Sequence, residues 1–158
     1  MAINYSSKED MGYLYIALKE CCGLDDNTIF KVKDIHSAGS YDGIEIMESD
    51  TNGVTKPSQS ALEAKFDVVK SRENFAKLRK KRDQLLVESD WSQGGDVPDA
   101  LKTKWQTYRQ NLRDIPNNQT PSDMFLTNIN WPTKPSWLKD ANKISVLLNG
   151  QDAENKLE

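Results

Sequence analysis

Apolar positions recur at helical spacing at the start and again in the middle of the chain, with a stretch of alternating character between. Met11, Leu14, Tyr15, Leu18 and one of Cys21 or Cys22 follow the i, i+3, i+4, i+7 rule of a single helix face, which predicts a helix from about Ser7 to Cys22. Ser6 with Glu9, or Ser7 with Asp10, offers a capping box at its start, and Gly23 can end it in the left-handed conformation. Residues 28–35 are rich in β-branched and aromatic types, and residues 43–48 alternate apolar with polar. With the loop-like residues 36–42 between them, they predict a β-hairpin. A lone hairpin is marginal in water, so this one must lean on the first helix or on a partner. Residues 49–57 have the composition of a turn-rich connector.

From Ser58 to about Ser89 there is neither Gly nor Pro, which predicts a helix roughly 45 Å long at about 1.5 Å per residue. Its apolar stripe changes side. Leu62, Phe66 and Val69 fall together, whereas Phe75, Leu78, Leu85 and Leu86 fall roughly opposite. Either one straight helix meets two different neighbours, or the helix breaks near residues 70–74. Trp91-Ser92-Gln93-Gly94-Gly95 reads as a turn. Asp96-Val97-Pro98 then opens a second helix, with an acidic cap and Pro in the first turn. Leu101, Trp105, Tyr108, Leu112 and Ile115 follow at intervals of 4, 3, 4 and 3, a seam suited to packing on another helix. The short connection predicts antiparallel neighbours with Leu85, Leu86, Leu101, Trp105, Tyr108 and Leu112 as the core of the helical hairpin.

Pro116 is expected to stop that helix. Residues 130–135 form an extended Trp-Pro segment, and a last short helix is expected over 136–148, with Trp137, Ala141, Ile144 and Leu148 on one side and a frayed polar end after it. The expected fold class is therefore α+β and predominantly helical: an N-terminal helix plus β-hairpin, a long central helix, an antiparallel helical hairpin and a short C-terminal helix. The expected divisions are 1–57, 58–135 and 136–158.

Composition narrows the partners. The formal net charge of −3 gives no global attraction to nucleic acid or to an anionic membrane. No apolar run approaches the roughly 20 residues that span a bilayer. The first residues carry neither a basic nor an apolar signal region, so the protein is expected to stay in the cytoplasm where it is made. Cys21 and Cys22 are adjacent and are the only cysteines, which points to reduced, buried thiols rather than a disulfide framework.

Motifs for catalysis and cofactors are not found. The single histidine, His36, has no partners at metal-ligand spacing, and there is no phosphate loop, nucleophile elbow or CxxC pair. Asp25-Asp26-Asn27 and Asp50-Thr51-Asn52-Gly53 read as helix-end and turn residues rather than as calcium loops. No cofactor, metal, small-molecule substrate or catalytic activity is expected. The basic run Lys77-Leu78-Arg79-Lys80-Lys81-Arg82 reads as a solvated helix face, because no aromatic residues interleave with it as a single-strand platform requires.

The spacing of residues 79–135 has a counterpart. Arg79-Lys80-Lys81-Arg82-Asp83-Gln84-Leu85-Leu86 leading to Asp90-Trp91, then Trp105-Gln106-Thr107-Tyr108-Arg109-Gln110-Asn111-Leu112-Arg113-Asp114, then Trp131-Pro132, resembles the phage tail assembly chaperone family. Gly94-Gly95 departs from it, since a bulkier turn is more usual there. The resemblance implies a non-catalytic protein that binds a phage tail or tail-fibre protein during assembly. It leaves residues 1–70 unmatched, as a partner-selecting adapter or a virion anchor. A permanent tail, neck or fibre component is the alternative. Arg, Trp and Tyr dominate interface hot spots, so Arg79, Arg82, Trp91, Arg109, Arg113 and Trp131 are the candidate partner-binding residues. For Trp105 and Tyr108 the regular seam favours a core role. For Arg109 and Arg113, internal pairing and partner contact both remain open.

Overall fold

The computed structural model of the protein describes residues 3–4, 7–24, 32–33, 40–46 and 54–136. Its elements are helix α1 (Lys8–Cys21), strands β1 (Val32–Lys33) and β2 (Glu45–Ile46), helix α2 (Gln59–Glu88), a 3-10 turn (Asp90–Gln93) and helix α3 (Asp99–Asn118). The described protein is predominantly helical. The β-hairpin expected over residues 28–48 is not supported. The described β structure is one antiparallel ladder of two-residue strands, pairing Val32 with Ile46 and Lys33 with Glu45. So short a ladder makes few hydrogen bonds, and of the described residues 43–46 only Ile44 is buried. His36, most of the expected strands, and the helix expected over 136–148 with Trp137 lie outside the described residues.

The chain divides into two compact units, one within Met1–Arg79 and Thr120–Ile129, the other within Lys80–Gln119 and Asn130–Glu158. In the first unit Met11, Tyr13, Leu14, Ala17 and Leu18 of α1 join Leu62, Phe66 and Val69 of α2 in one core with Ile3 and Ile44. The start of α1 is set by Ser7, whose hydroxyl accepts the Asp10 N–H at 3.3 Å. The Asp10 carboxylate does not close the box on Ser7. It accepts the Asn4 N–H at 3.1 Å and the Lys70 ammonium at 2.8 Å, so one acid ties the chain entry to α2. At the other end Gly23 takes φ +68°, and the Gly23 and Leu24 amides donate to Glu20 and Lys19, a left-handed helix stop that favours glycine. Cys21, the last residue of α1, and Cys22, its cap, are free and only half-buried.

Helix α2 is unbroken, and its buried face changes: Leu62, Phe66 and Val69 are buried first, then Asn74 and Leu78. Phe75, Leu85 and Leu86 are half-buried. Asn74 is 1 % exposed and accepts the Tyr13 hydroxyl at 2.5 Å. Burial, then the charges of Glu9, Asp10, Glu73 and Asp123, pushes the Tyr13 hydroxyl up to about 12.

In the second unit α3 begins at Asp99 with Pro98 as its cap residue, and the Leu101 and Lys102 amides donate to the Pro98 carbonyl. Asp96 is not the cap. Its carboxylate sits beside Gly94, where a Cβ would meet Asp96 Oδ1 at 2.8 Å and the Trp91 carbonyl at 3.3 Å. That crowding gives Gly94 a physical reason. Nor does Pro116 end α3, which runs on to Asn118. Proline's φ is compatible with a helix, and one missing N–H near the terminus costs little when Gln119 still donates to the Ile115 carbonyl at 2.9 Å.

Candidate functional site

The last carbonyls of a helix lack intrahelical donors. At the end of α2 these are supplied from two places. The Ser89 hydroxyl donates to the Leu85 and Leu86 carbonyls, each at 2.9 Å. Arg109, from the middle of α3, donates through Nη1 to the Leu86 carbonyl at 2.6 Å and to Ser89 Oγ at 2.8 Å, and through Nη2 meets Asp90 Oδ1 at 2.7 Å. Arg109 is 7 % exposed. Its guanidinium therefore serves as a cap for α2 delivered by another helix. The backbone of α3 also packs against the 3-10 turn that follows α2.

Arg109→Ala is expected to cost about 2 kcal/mol, since charge-assisted hydrogen bonds are lost while Asp90 remains largely in water. Arg109→Lys should recover only part, because an ammonium cannot fork between a carbonyl, a hydroxyl and a carboxylate. Urea unfolding of the three proteins measures this, and equal stabilities would remove the capping role.

Around this joint the aromatic rings are stacked edge to face. Trp105, 2 % exposed, meets Trp91 with ring centroids 5.0 Å apart and Tyr108 at 5.6 Å. Leu112 and Ile115 are also buried, while Leu101 is half-buried. Burial, and then the Glu88 charge, pushes the Tyr108 hydroxyl up.

Trp91 is different: it is 51 % exposed. With Trp105, Lys134 and Pro135 it lines an open, mainly apolar groove. Lys134 lies 6.0 Å over the Trp105 ring and 3.8 Å from Glu88. The extended strap that brings Lys134 here is anchored at Asn130, whose N–H and C=O pair reciprocally with the Gln119 amide at 2.7 and 3.1 Å.

The other candidate contact residues are dispersed. Arg79 is exposed and lies over the Phe75 ring at 5.4 Å. Arg82 pairs with its neighbour Asp83 at 2.7 Å. Arg113 is exposed with no ion pair among the described residues, and Trp131 is half-buried. The basic run is divided in the same way: Lys77 lies over the Tyr13 ring at 5.7 Å, and Lys80 and Lys81 face solvent. Among the described residues no group of three or more His, Cys, Asp or Glu side chains could hold a metal, and no helix is long and apolar enough to cross a membrane.

Residues 75–136 match the phage tail assembly chaperone protein family. No curated relative and no solved structure matches the chain. The family is the one that the sequence resembles, and the matched segment runs from the second half of α2 through the 3-10 turn and α3 to the strap. The Arg109 cap, the Trp91–Trp105–Tyr108 stack and the groove all lie inside it. Residues 1–74 lie outside it.

Within that segment, sequence reasoning missed Phe125 and Lys134. Phe125 stands 72 % exposed on the loop 120–129, and Lys134 rims the groove. The signal for the loop was present in Ser122-Asp123 followed by Thr127-Asn128, a composition that builds side-chain-stapled turns. Asp123 Oδ1 accepts the Phe125 N–H at 2.8 Å and the Thr127 N–H at 3.3 Å, while Oδ2 accepts the Ser122 and Thr127 hydroxyls.

These bonds, the Thr127 hydroxyl foremost, hold the Asp123 carboxyl below the ordinary value of 3.8 against a smaller effect of desolvation. A depressed folded value contributes stability that is present above 3.8 and is lost as pH falls through the folded value. Carboxyl-carbon NMR titration should place the Asp123 midpoint below 3.8, with the Phe125 and Thr127 amide signals moving in step. A midpoint at or above it would contradict the stapled loop.

Proposed function

We propose that the protein is a non-catalytic chaperone of phage tail or tail-fibre assembly, acting in the host cytoplasm by binding a phage structural protein. The observation that carries this reading is Trp91, half exposed on a fully packed Trp105 within the family-matched segment. A large aromatic surface held rigid from beneath and rimmed by a cation is the composition of an interface hot spot. The buried Tyr108, Leu112 and Ile115 hold that surface in place, and Lys134 supplies a charged contact beside it. The role of Arg109 is to fix the joint rather than to touch the partner.

Co-expression with the tail and tail-fibre proteins of the same phage tests the proposal. The expected result is co-purification with one of them and a higher soluble yield of it, both lost in Trp91→Ala at nearly unchanged melting temperature. Failure of every such protein to co-purify would reject the reading. Mass spectrometry of purified virions separates chaperone from permanent component: stoichiometric presence in the particle would favour the adapter role, for which residues 1–74, outside the matched segment, are the supporting observation.

A further inference from the structure

Among the described residues Phe125, 72 % exposed, is the most exposed large apolar side chain. The loop that carries it is tied at every residue around it. Met124 N–H donates to Glu9 of α1 at 2.8 Å across 115 positions of sequence, and the Met124 side chain packs against the first unit's core. Phe125 N–H is taken by Asp123. Leu126 is held at φ +59°, a left-handed conformation that an L residue with a bulky side chain seldom adopts. Asn128 closes the loop by donating to the Thr120 carbonyl at 2.7 Å and accepting the Ser122 N–H at 3.0 Å. Pro121 and Ile129 at its two ends are buried.

The loop thus commits at least four polar side chains and one strained backbone position to holding a phenyl ring out in water. Rigid presentation of an aromatic ring lowers the ordering cost that binding must overcome. Two acids bracket the ring's backbone: the carboxylates of Glu9 and Asp123 accept the two successive amides of Met124 and Phe125.

We infer that Phe125 is a preformed anchor that inserts into an apolar pocket with a basic rim on the phage structural protein the chain escorts. The pocket has the opposite charge to Glu9 and Asp123, and its apolar floor receives the phenyl ring. The inference rests on the chaperone reading and adds to it a second contact, on a different unit from Trp91.

The test uses the full-length protein and the purified tail and tail-fibre proteins of the same phage, with affinity measured by titration calorimetry. Phe125→Ser should weaken binding roughly thirtyfold, the scale of one hot-spot residue, without changing the circular dichroism or the melting temperature. Phe125→Leu should retain most of the affinity, and Val68→Ser, which removes an exposed side chain elsewhere on the first unit, should retain all of it. Binding should weaken with added salt as the acidic and basic rims are screened.

Wild-type binding to none of these proteins would reject the chaperone reading and the anchor with it. Wild-type binding that Phe125→Ser leaves intact would overturn the anchor alone, and affinity indifferent to salt would overturn the basic rim. If the wild type instead self-associates and Phe125→Ser dissolves that association while leaving tail-protein binding untouched, the occupant is a second copy and the inference is wrong.

Discussion

Replacing Trp105 by alanine should lower the stability of the second unit by about 3–5 kcal/mol, a fall in melting temperature on the order of 10 °C or more. The indole is 2 % exposed and touches Trp91 and Tyr108 edge to face, so its removal leaves a cavity and also loses two aromatic contacts. Near-ultraviolet circular dichroism offers an independent reading, because the paired Trp91 and Trp105 rings should give a coupled signal that vanishes in the variant. Trp91→Ala should abolish the same signal at a small cost in stability, Trp91 being half in water. If Trp105→Ala kept its melting temperature and lost only partner binding, Trp105 would be an interface residue and the groove would need another floor.

Phe66→Ala should cost the first unit a similar 3–5 kcal/mol. Phe66 is fully buried between α1 and α2, its ring 6.3 Å from that of Tyr13 and nearly perpendicular to it. The cavity would open beside the Tyr13–Asn74 hydrogen bond, and the Asp10–Lys70 pair would lose the apolar surface that shields it. Amide hydrogen exchange should show α1 and the first half of α2 losing protection, with the middle of α3 keeping it. Uniform loss along the whole chain would show that the two units unfold as one.

What the sequence showed and what it hid divide along physical lines. Periodicity exposed the helices, since a 4, 3, 4, 3 seam over Leu101–Ile115 and an uninterrupted run over residues 59–88 leave few alternatives. The change of face along α2 was visible as well, but whether it meant a break was not. A sequence does not say which neighbours a helix meets, and Asn74, a polar residue in the buried stripe, was legible only once Tyr13 stood opposite it.

The β-hairpin was over-read: β-branched composition reports a preference and not the extent of pairing, and the described residues carry only a two-residue ladder. Pro116 misled in the opposite direction: a rule that holds in helix interiors lapses in the last turn. Charges were the least legible. Arg109 and Arg113 sit four positions apart on one helix, and spacing alone could not foresee that the first would turn inward to cap α2 while the second stayed in solvent. The Phe125 loop hid for another reason. One of its staples runs to Glu9, and no local pattern announces a partner so distant in sequence.

That distance has a consequence for how the protein is made. The first unit draws on Met1–Arg79 and on Thr120–Ile129, so it is discontinuous in the chain. A ribosome releases residues in order, and α1 and the first half of α2 are free long before the loop emerges. Until α3 has been translated, Glu9 lacks the Met124 amide, and Met124 is missing from the core against which it packs. The amino-terminal unit therefore reaches its final form late, and Phe125 takes up its bracketed position in the same event. A nascent chain arrested anywhere before Ile129 would hold an unfinished unit, more open to protease than the released protein, and without the ring that the finished one displays.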